Sequence, residues 1–258
     1  MMQQNQVIEP RRNIKNVIAV MSGKGGVGKS TVTAILAKEL RKLGYSVGIM
    51  DADITGPSIP RLMDIKDKRS TTDGQYFMPV TTKEGIKVIS LNTVLPNEEE
   101  AVVWRGPVIA SAVMQFWNEV VWEDLDYLLI DMPPGTGDVP LTVMKSIPLK
   151  GVVMVSIPQD MVSMIVSKAI NMTKKLKVEV LGLIQNMSYI NCDNCNHKIY
   201  LSDEEDKEIL EKMEVELLGE LPMTREIGKL SRGQELYTGE LFSSIAKRVV
   251  KKIENKTR

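Results

Sequence analysis

The chain has 258 residues, 43% of them hydrophobic and 26% charged, a globular composition with room for one large α/β domain or two small ones. Lys plus Arg and Asp plus Glu both number 33, so no global field points to nucleic acid or to acidic partners. No apolar run is long enough to span a membrane, Met1 to Arg12 lacks the apolar core of a signal peptide, and two cysteines build no disulfide framework. The expectation is a cytoplasmic protein with no nucleic-acid partner and no stable membrane association.

Residues 1–13 read as a disordered lead-in and residues 14–258 as a single domain. The apolar run Asn16-Val17-Ile18-Ala19-Val20-Met21 predicts a buried strand. A glycine-rich loop follows, then a helical pattern with Val32, Leu36, Leu40 and Leu43 on one face and Gly44 closing it. Ser46 to Met50 is a second buried strand, running into Asp51-Ala52-Asp53. Polar residues 66–84, with a turn at Asp73-Gly74, predict a hairpin excursion. Ile86 to Leu91 reads as a strand, Gly106-Pro107 as the start of a helix to Val120, and Tyr127 to Asp131 and Gly151 to Ser156 as further strands. Asp160 is placed to cap a helix from Met161 to Leu176. Val180 to Gln185 is a strand leading to a cysteine-containing loop, Leu217 to Glu220 a last short strand, and Phe242 to Ile253 a last helix. Strands alternating with helices predict an α/β fold, a mostly parallel twisted sheet with helices on both faces. Ligands of such sheets bind at the carboxyl ends of the strands, where the glycine-rich loop, Asp51, Asp53, Asp131 and Asn186 all fall.

Ser22-Gly23-Lys24-Gly25-Gly26-Val27-Gly28-Lys29-Ser30-Thr31 fits the phosphate-loop pattern G-x-x-x-x-G-K-[ST], with Gly23, Gly28, Lys29 and Ser30 at its fixed positions. In such a loop successive N–H groups turn onto phosphate oxygens, and the helix N-terminus adds partial positive charge. Gly23, Lys24, Gly25, Gly26, Val27, Gly28, Lys29, Ser30 and Thr31 are therefore the candidate nucleotide-binding residues, with Lys29 on the outer phosphates and the Ser30 hydroxyl on Mg²⁺. Lys24 is a second lysine that the general pattern does not require. Asp131 ends an apolar strand and is placed to hold Mg²⁺, directly or through water. The following Met132-Pro133-Pro134-Gly135-Thr136-Gly137-Asp138 reads as a switch loop. Asp51 and Asp53 alternate at a strand end and so share a face. One would orient or deprotonate the attacking water and the other support the metal. The plainer alternative is that both cap the next turn.

Asn191-Cys192-Asp193-Asn194-Cys195-Asn196-His197 is the second chemical feature. A redox dithiol of this spacing normally opens a helix, and no helical pattern starts here. Metal binding asks for four ligands, whether the metal is zinc or a four-iron cluster, and one chain supplies two thiols. A two-fold dimer would bring Cys192 and Cys195 of both copies to its axis. On ligands alone, zinc and iron–sulfur are not separable.

The phosphate loop, Asp51 to Ser58, Trp104-Arg105-Gly106-Pro107, Asp126 to Asp138, Pro158-Gln159-Asp160, Gln185-Asn186-Met187-Ser188-Tyr189 and the cysteine pair together resemble the Mrp-type (ApbC/Nbp-type) P-loop ATPases. These are iron–sulfur cluster carriers within the MinD/ParA-like group, and the resemblance covers residues 14–230. It implies a phosphate loop of the deviant Walker A type, in which Lys24 is the signature lysine reaching a nucleotide across a homodimer interface. It implies that Asn186 reads the adenine and that Cys192 and Cys195 bridge a [4Fe-4S] cluster between subunits. ATP hydrolysis would be slow, with Lys24, Lys29 and Asp53 catalytic and Ser30, Asp51 and Asp131 serving Mg²⁺, and the cluster would pass to apoprotein clients. Asn196 stands where relatives often carry Gly, and residues 203–206 are acidic where relatives are glycine-rich. The rival reading is a MinD/ParA-like ATPase that positions itself on membrane or DNA. Its support is the tail, where Leu241, Phe242, Ile245, Val249, Val250 and Ile253 recur at helical spacing opposite Lys247, Arg248, Lys251 and Lys252. The bland account of that tail is a helix packed on the sheet.

Overall fold

The structure is a computed structural model that describes residues 12–54, 56–95, 106–158, 164–192, 194–195, 197–201, 210–224 and 240–255. In chain order its elements are β1 (Arg12–Ser22), α1 (Lys29–Lys42), β2 (Val47–Asp51), α2 (Ile59–Leu62), β3 (Thr71–Thr72), β4 (Phe77–Met78), β5 (Val80–Thr81), β6 (Lys87–Ile89), α3 (Leu91–Val94), α4 (Gly106–Glu119), β7 (Glu123–Asp131), α5 (Asp138–Ser146), β8 (Gly151–Ser156), α6 (Met164–Lys175), β9 (Val180–Asn191), β10 (Lys198–Tyr200), β11 (Leu217–Pro222) and α7 (Glu240–Glu254). β1 lies mid-sheet between β7 and β8, all parallel. β2 joins β7 to β6, and β9 joins β8 to β11, again in parallel. Two antiparallel additions complete the sheet: β5 on β6, and β10 on the end of β9.

The period-2 pattern of the central strand builds the layers. Ile18 and Val20 point to one face, where they pack with residues of α1, α2 and α7; Val17, Ala19 and Met21 point to the other, among residues of α4, α5 and α6. Burial on both faces explains why β1, β7 and β8 read as continuous apolar runs, and each fully buried aliphatic side chain there contributes about 1.5–3 kcal/mol. Leu43, expected on the buried face of α1, is instead the C-cap and 36% exposed, while Gly44 closes the helix at φ 95°.

Other boundaries differ as well. β1 begins at Arg12, β7 at Glu123, and β9 runs on to Asn191, because pairing with neighbours extends strands past their apolar cores. The 66–84 excursion is the two-stranded β3–β4 hairpin turned at Asp73-Gly74, followed by β5. The sequence pattern does not announce α5, whose first residue, Asp138, is the last of the switch-loop segment. α7 buries Ile245, Ala246, Val249, Val250 and Ile253 against α1 and the sheet and leaves Lys247, Arg248 and Lys251 exposed, so its apolar face is used within the fold. The lead-in through residue 11, Thr55, Trp104-Arg105, Gln159 with Asp160 and Met161, Asn196 and residues 203–206 lie outside the described residues.

Candidate functional site

The phosphate loop joins β1 to α1 at the carboxyl edge of the sheet. Gly26 and Gly28 stand at φ 84° and 81°, the left-handed region that side chains avoid. Gly28 is doubly constrained, because a Cβ there would stand 2.3 Å from Asn186 Nδ2. Gly23 backs onto the start of α6, where a Cβ would meet Ile165 at 3.0 Å. The loop walls a cavity of about 310 Å³ that Lys24, Gly25, Lys29, Thr31, Asp53 and Pro134 also line. A larger cavity, about 700 Å³, lies between α4 and α5 and holds neither the loop nor the cysteines. Convergent charge, not volume, marks the smaller one as the site.

Asp131, fully buried at the end of β7, is the anchor. Its Oδ1 receives Lys29 Nζ at 2.8 Å and the Thr33 hydroxyl at 2.8 Å; its Oδ2 receives the Ser30 hydroxyl at 2.6 Å. Lys29 Nζ also lies 3.8 Å from Asp53 Oδ2 and 3.1 Å from Ser30 Oγ. Lysine, serine and carboxylate thus meet where the motif requires. The motif does not mark Thr33, although this residue lies one helical turn past Lys29 and so on the same face of α1. Ser30 and Asp131 are hard oxygen donors facing one another, a set that fits Mg²⁺.

Asp51 and Asp53 part company. Asp53 borders the cavity, whereas Asp51 is fully buried behind it. Asp51 accepts from the Ser90 hydroxyl at 2.9 Å and from the Asp53 N–H at 3.2 Å. Burial, with the Asp131 charge nearby, pushes its carboxyl up to about 8. Asn186, on β9, is 1% exposed and donates from Nδ2 to the Val27 carbonyl at 2.9 Å. Its Oδ1 is buried with no partner, an acceptor still to be satisfied. The switch segment is tied to the loop from beneath: the Gly135 N–H donates to the Ser22 carbonyl at 2.9 Å and the Met132 N–H to the Val20 carbonyl at 3.1 Å. Lys24 is exposed at the mouth, its own carbonyl held by Ser22 Oγ at 2.9 Å.

The cysteines sit apart from this cavity, at the tip of the β9–β10 hairpin. Cys192 is half-buried and Cys195 exposed, and the Cys192 N–H donates to the His197 carbonyl at 2.9 Å. Both flanking elements are strands, so among the described residues no helix begins at the pair. Among the described residues no group of three or more His, Cys, Asp or Glu side chains could hold a metal ion.

A glycine-rich loop between a buried parallel strand and a helix, with a strand-end carboxylate on its lysine and serine, defines a P-loop NTPase. The family model for ParA, described as NUBPL iron-transfer P-loop NTPase, matches residues 13–257, and the chain belongs to that family. It is 51% identical over 245 residues to the iron-sulfur cluster carrier protein of Clostridium perfringens, covering 90% of this chain and 86% of that one. It is 39% identical over 252 residues to the iron-sulfur cluster transfer protein NUBPL of Dictyostelium discoideum, covering 93% and 77%. Among solved structures it resembles a nucleotide-binding protein of Archaeoglobus fulgidus in complex with ADP, at TM-score 0.78 and 42% identity over 89% of this chain and 91% of that one. The fold is also that of the Aquifex aeolicus cell division protein MinD, at TM-score 0.65 and 19% identity over 92% and 97%.

Proposed function

We propose that this protein binds and slowly hydrolyses ATP and carries a [4Fe-4S] cluster, held between two copies of the chain, to apoprotein clients in the cytoplasm. The observation that carries the proposal is β9 itself. One strand sets Asn186 under the phosphate loop and, six residues on, Cys192 at the hairpin tip, about 20 Å of strand linking nucleotide to thiol. The relatives named as cluster carriers and the ADP complex of the A. fulgidus protein support both halves of the reading.

Its mechanism follows from the residues. Lys29, now paired with Asp131, would turn to the outer phosphates of ATP, and Lys24 would reach a nucleotide in the second copy. Ser30 and Asp131 would hold Mg²⁺, which offsets phosphate charge when bound. Asp51, behind them, would support the metal through its neighbours. Asp53, at the cavity wall, would orient the attacking water. Asn186, buried beneath Val27 and outside the cavity lining, would read the adenine only after its side chain turned out from under the loop. Occupancy would move the segment from Asp131 to Asp138 and so alter how two copies meet, setting whether the cluster is held or released. Slow hydrolysis suits a handover.

Cluster transfer to an apoprotein tests this. The Cys192→Ala/Cys195→Ala variant is expected to bind ATP normally and transfer nothing; transfer at the wild-type rate would sink the proposal. The membrane-positioning alternative rests on α7, whose apolar face is buried, so it has no observation in its favour.

A further inference from the structure

A line of polar side chains runs from the β3–β4 excursion to the aspartates of the nucleotide site. Asp51, Ser90 and Thr93 in it are fully buried, and Ser70 is half-buried. β6 runs parallel to β2 with Ile89 opposite Met50, so the next residue, Ser90, falls beside Asp51 and caps α3. Its hydroxyl donates to Asp51 Oδ2 at 2.9 Å, and Asp51 Oδ1 accepts the Asp53 N–H at 3.2 Å. Thr93 holds Ser90 from behind. The Ser90 N–H donates to Thr93 Oγ1 at 3.1 Å, and the Thr93 hydroxyl donates to the Ser90 carbonyl at 2.8 Å. That commits the one Thr93 proton, so Ser70, 3.0 Å from Thr93 Oγ1, is the donor in the next bond of the line. The Ser70 N–H adds a bond to the Thr93 carbonyl at 2.7 Å.

We propose that Ser90 is a positioning residue of the nucleotide site: its hydroxyl fixes the Asp51 carboxyl, and Asp51 fixes the backbone from which Asp53 faces the cavity. The inference rests on the ATPase reading and goes beyond it by giving the two aspartates a common support. The need for that support comes from where the chain leaves the sheet. Asp51 is the last residue of β2 paired with β7, and the Ala52 N–H still donates to the Asp131 carbonyl at 2.9 Å. The Asp53 N–H has passed the end of the ladder and goes to the Asp51 side chain instead. Asp53 itself lines the cavity, with Oδ2 3.8 Å from Lys29 Nζ. A group that orients water has to be held to about 0.5 Å by the bonds behind it. Removing the Ser90 hydroxyl leaves a buried carboxyl oxygen short of its donor, and the carboxyl can recover a partner only by turning away from the Asp53 N–H. The same short helix touches the cavity wall again, since Asn92 Nδ2 lies 3.5 Å from the Pro57 carbonyl, between the lining residues Gly56 and Ser58.

The test compares Ser90→Ala, which removes the donor, with Ser90→Thr, which keeps it. Ser90 stands at φ −148° and ψ 156°, an extended conformation that suits a β-branched residue. Amide hydrogen exchange in the full-length chain without nucleotide is the first readout. In Ser90→Ala the Asp53 amide is expected to exchange about tenfold faster, with Ala52 unchanged and Ser90→Thr like wild type. Equal Asp53 exchange in wild type and Ser90→Ala overturns the proposal. So does an equal rise at Ala52, which would mean that the strand end has merely loosened. ATP turnover is the second readout: kcat about fivefold lower in Ser90→Ala with an unchanged KM is expected, and a wild-type kcat overturns the proposal. A wild type that turns over no ATP would defeat the ATPase reading, while the exchange comparison still decides whether Ser90 holds Asp53.

Discussion

Asp131 carries no unpaired oxygen: Lys29 and Thr33 hold Oδ1, and Ser30 holds Oδ2. Thr33 is fully buried, and its hydroxyl lies 2.8 Å from Asp131 Oδ1 and 3.0 Å from the Lys29 carbonyl, so it would act on nucleotide as a positioning residue. A hydrogen bond to a charged group is worth about 1.5–3 kcal/mol. Thr33→Val should therefore lower thermal stability by several degrees, near the roughly 2–4 °C per kcal/mol of domains this size, and raise the Mg²⁺ concentration that ATP binding needs. Thr33→Ser should restore both, which a purely steric role would not allow. Asp51 gives a prediction with a sign. Its carboxyl is raised from 3.8 to about 8 in the folded chain, so the folded state binds the extra proton between those values. Its stabilising share is complete below the ordinary carboxylate value and is lost as pH rises through the folded one. Melting curves of Asp51→Asn should show a shallower decline than wild type over that window, and the opposite trend would show that Asp51 is charged when folded. The fixed motif positions are legible in the sequence, since spacing alone places Lys29 and Ser30. Thr33 is hidden there because its role appears only once Asp131, distant in the chain, is beside it. The separation of Asp51 from Asp53 is hidden too, because alternation defines a face but not which side chain the next layer covers.

At the scale of elements, β9 and α7 tie the sites to the fold. Met187 follows Asn186 at φ 54°, a left-handed residue inside a strand, costing about 1–2 kcal/mol, and its methyl lies under the phosphate loop. Strain placed between Asn186, the proposed nucleotide contact, and the cysteine tip suits a joint that loop movement can bend. Met187→Gly should still load cluster but lose the effect of ATP on transfer rate; an unchanged ATP response would separate the bend from the switch. α7 is a packing element. Ile245 fills the space over Gly219, where an added Cβ would stand 2.6 Å from it. Ile245→Ala should cost about 2–5 kcal/mol in denaturant unfolding, and ATP should not drive the protein onto anionic liposomes. The helical period of the tail is plain in the sequence, but period cannot say whether sheet or lipid covers an apolar face. Strand cores are equally plain, whereas the start of β7 depends on β1, distant in sequence, and the two- and three-residue strands β5 and β10, though paired with their sequence neighbours, are too short to show a period.

For the whole molecule, two sites share one edge of one sheet. The lysine, serine and carboxylate of the phosphate loop meet within a single chain; in the proposed carrier the thiol pair is half of a ligand set. In the proposed carrier, that asymmetry makes the dimer the working unit and nucleotide the natural control on how its halves meet. Anaerobic reconstitution with iron and sulfide, read by visible spectrum and by iron per dimer, tests this most directly. A brown wild-type protein with about four irons per dimer and a colourless Cys192→Ala/Cys195→Ala variant are expected. A wild type that takes up no iron, or a variant that takes up as much, would contradict the carrier reading.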